Sequence, residues 1–213
     1  VKTGRNMVRE RTAGYFIFNA VFASLLALFI VFAVRFANCF GAAERLPGVE
    51  RYEIMRILPY GTSAGSDGET VSASVSILDT SGNECARIER SWRGSVLTVD
   101  FKSAEFSGKR FYFPCELYGR EIVSAASPFF RRRGTELFRY YNENTQCMLL
   151  GASSTFEDRR DLYSLARFAF SPFSAFAADF SRRYSADLSQ CRAGVYYSVI
   201  VGTDGTLKIE ATY

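Results

Sequence analysis

From Tyr15 to Val34 the chain runs for 20 residues without a formal charge, YFIFNAVFASLLALFIVFAV. At about 1.5 Å of rise per residue, a helix of that length covers about 30 Å, the thickness of a bilayer's hydrocarbon core. Thirteen of these residues are Phe, Ile, Leu or Val. Each favours insertion by about 0.3–0.6 kcal/mol, so Asn19 and Ser24 cannot outweigh them. A buried helix of a soluble domain would be shorter or would carry a polar stripe. The stretch therefore predicts a transmembrane anchor.

Lys2, Arg5, Arg9 and Arg11 precede the span, and such flanking cations stay on the cytoplasmic side. This orientation places the rest of the chain outside the cytoplasm, in the periplasm if the source is bacterial. The sequence divides into a basic cytoplasmic tail over 1–14, the anchor over 15–40, a short spacer over 41–48 ending in the turn signal Pro47-Gly48, and an extracytoplasmic domain over 49–213. A cleaved signal is the alternative, since Gly41-Ala42-Ala43 satisfies a small-x-small pattern before Glu44. The apolar stretch exceeds a usual signal core, and Arg35 interrupts the approach to that site, which favours retention. Cys39 after Phe36-Ala37-Asn38 loosely matches a lipidation site, the minor alternative. Ala20 with Ser24 and Ala23 with Ala27 are small-xxx-small pairs through which the span can self-associate.

The formal charge of +4 arises entirely before Glu44, where five basic residues meet Glu10 alone; beyond it 21 basic and 21 acidic residues cancel. A neutral domain lacks the footprint that phosphate-backbone binding requires, which excludes nucleic acid as a partner.

Beyond the spacer, the Gly/Ser-rich stretch from Gly61 to Glu69 reads as a surface loop without a phosphate-binding fingerprint. Val71, Ala73, Val75 and Ile77 then alternate with serines as a half-buried strand should. A turn over Asp79–Asn83 and a return strand carrying Ala86, Ile88 and Trp92 complete a hairpin. Further strands are predicted over Ser95–Phe101, Arg110–Leu117, Thr135–Tyr141 and Thr145–Leu150, with Pro114 marking an edge or a bulge. Thr155 and Asp158 form a capping box ahead of a helix with Leu162, Leu165, Ala166 and Ala169 on one face. Ser171-Pro172 reads as the start of a second helix, closed by Arg182 and Arg183. Two strands around Gly202-Thr203-Asp204-Gly205 end the chain. The fold class that follows is α+β, an N-terminal transmembrane helix before a mainly antiparallel β-meander with two C-terminal helices and a closing β-hairpin.

The chain has no histidine. That removes the commonest general acid/base and nucleophile partner, along with the usual zinc ligand sets. Beyond the anchor, lysines are confined to Lys102, Lys109 and Lys208. A carboxylate pair such as Glu116 with Glu121 leaves a hydrolase as the least favoured reading. No metal or cofactor motif is present. Cys85, Cys115, Cys147 and Cys191 lack CxxC spacing; they permit two disulfides in an oxidising compartment or equally serve as buried thiols. Phe129, Phe130, Arg131, Arg132 and Arg133, punctuated by Pro128 and Gly134, are the candidate contact for headgroups or an acidic partner, against the plainer reading of a solvated turn. The expected function is that of a non-enzymatic, membrane-anchored envelope protein binding a protein partner, a lipid or a small apolar ligand. A cleaved secreted or periplasmic binding protein, or a lipoprotein, is the alternative.

Overall fold

The computed structural model describes residues 3–48, 51–65, 68–121, 134–172, 174 and 177–212, with side chains from Phe18 onward. The predicted anchor is one helix, α1, spanning Thr3–Arg45. Within its stretch Phe18–Arg45 the most apolar 18-residue window has a mean hydropathy of 2.4, and none of that window is buried against protein. Phe22, Leu25 and Phe29 are 59%, 60% and 66% exposed, a surface that water opposes and hydrocarbon accepts. The Ser24 hydroxyl donates to the Ala20 carbonyl at 2.8 Å, so this polar group is satisfied within its own helix. The chain thus has one N-terminal helix long and apolar enough to cross a membrane.

By compactness the chain divides into a first unit up to Asn38 and a second from Cys39 onward. The second unit takes the last turns of α1. Cys39, Ala42, Ala43 and Leu46 recur at helical spacing and are at most 2% exposed. Phe40 meets the rings of Phe106 and Phe180 edge-on at 5.1 and 5.9 Å. Residues 41–48, expected as a spacer, are therefore helical up to Arg45 and contribute to the domain's core. Pro47 follows the end of the helix, and Lys109 closes it. The Lys109 ammonium donates to the carbonyls of Ala43, Glu44 and Leu46 at 2.9, 3.1 and 2.6 Å, satisfying acceptors that a helix terminus leaves open.

Two antiparallel sheets follow. The first, of five strands, has the order β11-β10-β1-β2-β3. It is built from β1 (Tyr52–Gly65), β2 (Gly68–Leu78), β3 (Glu84–Arg93), β10 (Tyr196–Val201) and β11 (Leu207–Thr212). The second, of four strands, has the order β6-β5-β4-β9. Its strands are β4 (Val96–Phe106), β5 (Lys109–Arg120), β6 (Thr135–Glu136) and β9 (Arg183–Asp187). A two-stranded ribbon of β7 (Asn142–Glu143) and β8 (Gln146–Cys147) leads into a 3₁₀ turn over Met148–Leu150.

The first sheet buries Met55, Ile57, Val75, Ile77, Val199 and Val201 completely, while Ser72, Ser74 and Ser76 line its outer face. The two sheets are stitched at opposite sides. Trp92 on β3 donates its indole N–H to Thr135 Oγ1 on β6 at 3.0 Å, and Tyr112 on β5 donates its hydroxyl to the Gly205 carbonyl before β11. Gly94 (φ 130°) sits where β3 passes β5 so closely that a Cβ would lie 2.6 Å from the backbone at Gly119 and Arg120. On the far side of the four-stranded sheet lies α3 (Phe156–Phe170), where Phe168 meets Phe106 at 5.1 Å and Phe170 underlies the Lys102 ammonium at 5.0 Å. Thr155 and Asp158 form the predicted capping box. The α+β class is as expected, with the other helix being one turn, α2 (Phe138–Tyr141).

Four local expectations differ. The stretch Gly61–Glu69, expected as a loop, mostly belongs to β1 and β2, whose backbones pair from Gly61 opposite Ser72 through Gly65 opposite Gly68. Thr135–Tyr141, expected as a strand, is the two residues of β6 followed by α2. Thr145–Leu150 is the short β8 followed by the 3₁₀ turn. The described residues after Ser171 take 3₁₀ and turn geometry, and Arg183 opens a strand. Pro114 sits beside a bulge, where the β4–β5 register shifts between Asp100 and Phe101.

Candidate functional site

A cavity of about 320 Å³ lies in the second unit, beside the point where the chain leaves α1. Pro47, Gly48, Arg51 and Tyr52 contribute from that exit and the start of β1, Phe111 and Tyr112 from β5, Leu149 and Leu150 from the 3₁₀ turn, and Leu162 from α3; Thr80 joins them from the β2–β3 turn. Most of this wall is aromatic or aliphatic. Its volume falls at the lower end of the ~300–1,000 Å³ of ordinary ligand sites.

The wall is held by turn chemistry. Thr80 donates its backbone N–H to the Leu149 carbonyl at 2.8 Å and its hydroxyl to the Leu150 carbonyl at 3.1 Å, tying the 3₁₀ turn to the β2–β3 turn. Asp79 organises that turn by accepting from the backbone of Ser81 and Asn83 at 2.8 and 2.9 Å. Gly151 (φ 81°) ends the 3₁₀ segment where a Cβ would lie 2.7 Å from the Asp79 carboxylate. Leu149 and Leu162 are 3% exposed and Phe111 5%, so the apolar lining is preformed. Two kinds of polar group border it. Arg51 is exposed and reaches Glu210 at 2.9 Å. Tyr52 is half-buried, burial raises its phenol pKa, and its hydroxyl has no hydrogen-bond partner among the described residues. The arrangement suits an apolar body with one polar or anionic end.

A second cluster gathers around the buried carboxylate of Asp100. Asp100 on β4 is 1% exposed and accepts from Arg183 Nε at 3.0 Å, from Arg183 Nη2, from the Ser185 hydroxyl and, at 3.5 Å, from the Tyr118 hydroxyl. Burial opposes the charge on Arg183, but the hydrogen bond and proximity of Asp100 outweigh it and raise the guanidinium pKa. Glu116 Oε2 lies 3.5 Å from the same guanidinium, and Glu116 Oε1 accepts the Gly134 N–H at 3.2 Å. Glu116 thus faces Asp100 across an arginine that both carboxylates share, whereas Glu121 lies beyond the end of β5. The sequence offered no means of joining Asp100 to Arg183, 83 positions away.

The five cysteines are free thiols. Cys147 is fully buried, and burial pushes its pKa up to about 12. Cys85 and Cys191 are half-buried and raised to about 11, again by burial; Cys115 is raised by the same cause. Cys85 donates to the Met148 carbonyl at 3.6 Å, next in sequence to Cys147. Such thiols are protonated at neutral pH and make poor nucleophiles. Phe129, Phe130, Arg131, Arg132 and Arg133 lie outside the described residues. The fold and cavity define a class: an α+β domain of two joined sheets that follows one apolar helix in the chain, with a small preformed apolar site. No protein-family model, curated protein or solved structure matches the chain.

Proposed function

We propose that this chain is a single-pass envelope protein with a cytoplasmic N-terminus, and that its extracytoplasmic domain binds a small apolar or amphiphilic molecule in the cavity at Tyr52, Phe111, Leu149 and Leu162. It acts by binding rather than by catalysis. The observation that carries the reading is the exposed apolar stretch of α1, which needs hydrocarbon as its solvent. Lys2, Arg5, Arg9 and Arg11 support the orientation. Retention of the helix is supported by Ala42 and Ala43, which are helical and at most 1% exposed, so the small-x-small site lies inside packed structure. A cut after Ala43 would also divide the carbonyls that Lys109 holds. A lipid fragment or fatty acid released from the membrane matches the lining, with Arg51 at its border for an anionic end.

Two measurements test this. A periplasmic-type enzyme reporter fused after Tyr213 is expected to be active outside the cytoplasm; activity confined to the cytosol overturns the topology. A fluorescent fatty acid titrated against the full chain in lipid nanodiscs is expected to bind saturably and to be displaced by dodecanoate. The cavity-filling variant Leu162→Trp is expected to weaken that binding about tenfold or more. Equal binding by the variant removes the cavity from the reading.

A further inference from the structure

β9 and β11 are the outermost strands of their respective sheets, and both border one groove of about 480 Å³. The direction of their backbone groups follows from the register. Leu188 N–H donates to the Leu97 carbonyl at 3.1 Å and Ser103 N–H to the Arg182 carbonyl at 2.8 Å, while Thr98 stands opposite Asp187 and Lys102 opposite Arg183. Bonded pairs alternate along an antiparallel ladder, so the main-chain groups of Arg183, Ser185 and Asp187 point away from β4. At the other edge, Gly202 N–H donates to the Thr206 carbonyl at 2.8 Å and Val201 stands opposite Leu207. By the same alternation the main-chain groups of Leu207, Ile209 and Ala211 point away from β10. Ser185, Asp187, Leu207 and Ile209 all line the groove. Among the described residues no strand pairs with either edge.

The side chains complete the pattern. Leu207 and Ile209 lie on the same face as Val201 and Val199, which are fully buried, yet Leu207 is half-buried and Ile209 is 36% exposed. Tyr184 and Ala186 face them from β9 and are also half-buried. The core is therefore open along this side. The charges beside it are already balanced: Arg110 pairs with Glu105 at 2.7 Å, and Asp187 with Arg120. The Tyr184 ring lies 5.3 Å from that of Tyr112, whose hydroxyl donates to Gly205, so the two edges start from a common end.

We propose that this groove accepts an extended, uncharged segment of a partner protein, which adds as a strand between β9 and β11 and lays alternate apolar side chains onto Tyr184, Ala186, Leu207 and Ile209. Unpaired main-chain donors and acceptors supply the affinity in such strand addition, and apolar seats at every second residue supply the register. The five residues of β9 and six of β11 set the length of segment that fits. Neutral surroundings select against a charged one. The site is separate from the cavity at Tyr52 and stands without it.

The test uses the full isotopically labelled chain in lipid nanodiscs, probed with a short blocked peptide alternating threonine and valine. Amide exchange at Ser185, Asp187, Leu207 and Ile209 is expected to slow about tenfold or more at saturation. The same peptide with alternate amides N-methylated is expected to lose that effect, because it cannot pair. Ile209→Pro removes an outward N–H while sparing the β10 ladder, and is expected to abolish binding. The N-methylated control, read on the wild-type chain, decides the matter if that variant is unstable. Unchanged exchange at saturating peptide, or equal effect of the methylated peptide, overturns the proposal. So does slowing at the same amides on raising protein concentration alone, which would place a second copy of the chain in the groove.

Discussion

Replacing Thr135 by Val tests the join between the two sheets at its most exposed assumption, the single hydrogen bond from Trp92. Trp92 and Thr135 are 5% and 3% exposed, and the indole N–H donates to Thr135 Oγ1 at 3.0 Å. Valine keeps the shape of threonine and deletes the acceptor, leaving a buried N–H without a partner at a cost of about 1–3 kcal/mol. Arg90 Nη1, 3.5 Å from the same oxygen, is too distant to contribute much. Trp92→Phe removes the donor and opens space in the core, for about 1–3 kcal/mol of its own. In the double variant no donor remains unpaired, so its cost should fall short of the sum by about 1 kcal/mol. Urea unfolding of the full chain in detergent micelles, followed by circular dichroism at the domain's strand signal, gives all four corners of the cycle. Trp92 is the only tryptophan, so its emission independently reports the wild type and Thr135→Val. Strict additivity, within about 0.3–0.5 kcal/mol, would mean that the bond does not hold the sheets together in solution.

Lys109→Met deprives the carbonyls of Ala43, Glu44 and Leu46 of their shared donor and should destabilise the domain by about 2 kcal/mol, read as a lowered urea midpoint at unchanged slope; Lys109→Arg should recover part of it. Arg183→Met leaves the buried carboxylate of Asp100 without its cation and should cost about 3 kcal/mol, the low end for a broken buried pair because the guanidinium is itself 39% exposed; the loss should shrink when Asp100→Asn is added. Stability should also fall at alkaline pH. Thiol pKa values of about 12 for Cys147 and about 11 for Cys85 and Cys191 lie above the ordinary value of 9.0, so past pH 9 the unfolded chain releases protons that the folded protein keeps. The contribution is whole below pH 9 and lost as pH rises through the folded values. Comparing wild type with Cys147→Ala between pH 7 and about 10.5 checks it, since the variant's stability should decline less steeply.

What the sequence made legible was periodic. Val71 to Ile77 announced β2 because one face of that strand is core and the other serine, and Thr155 with Asp158 announced α3 because capping is local chemistry. β1 was hidden by Glu53, Arg56 and Pro59. The two charges lie on the outer face and pair with each other at 2.6 Å, so they cost the strand little, but they erase the pattern that would reveal it. β9 was hidden because Arg182 and Arg183 resemble a helix end, and because what makes Arg183 a strand residue is Asp100, far away in the chain. The end of α1 was masked by the turn signal at Pro47 although Cys39, Ala42, Ala43 and Leu46 already carried the helical period. The cavity was out of reach for a plainer reason: Tyr52, Thr80, Phe111, Leu149 and Leu162 come from five separate segments, each unremarkable alone.

The cavity and the groove make opposite demands on affinity. A preformed apolar site can hold a small molecule tightly because little has to be ordered, whereas strand addition over five or six residues makes only a few hydrogen bonds of about 1 kcal/mol each and must order the incoming segment. Alone, such pairing is weak. Confinement of both partners to one membrane changes that arithmetic, because a tethered segment meets its groove at an effective concentration that a free peptide does not reach. On the proposed reading, the open edges at Ser185, Asp187, Leu207 and Ile209 work together with the apolar helix: an anchor there would supply the encounter, leaving the groove only to select the strand. Leu162→Trp and Ile209→Pro act on different walls of the domain, so loss of fatty-acid binding and loss of strand pairing should segregate between them. If either variant abolished both, the two walls would be one coupled site, and the separation argued from their linings would fail.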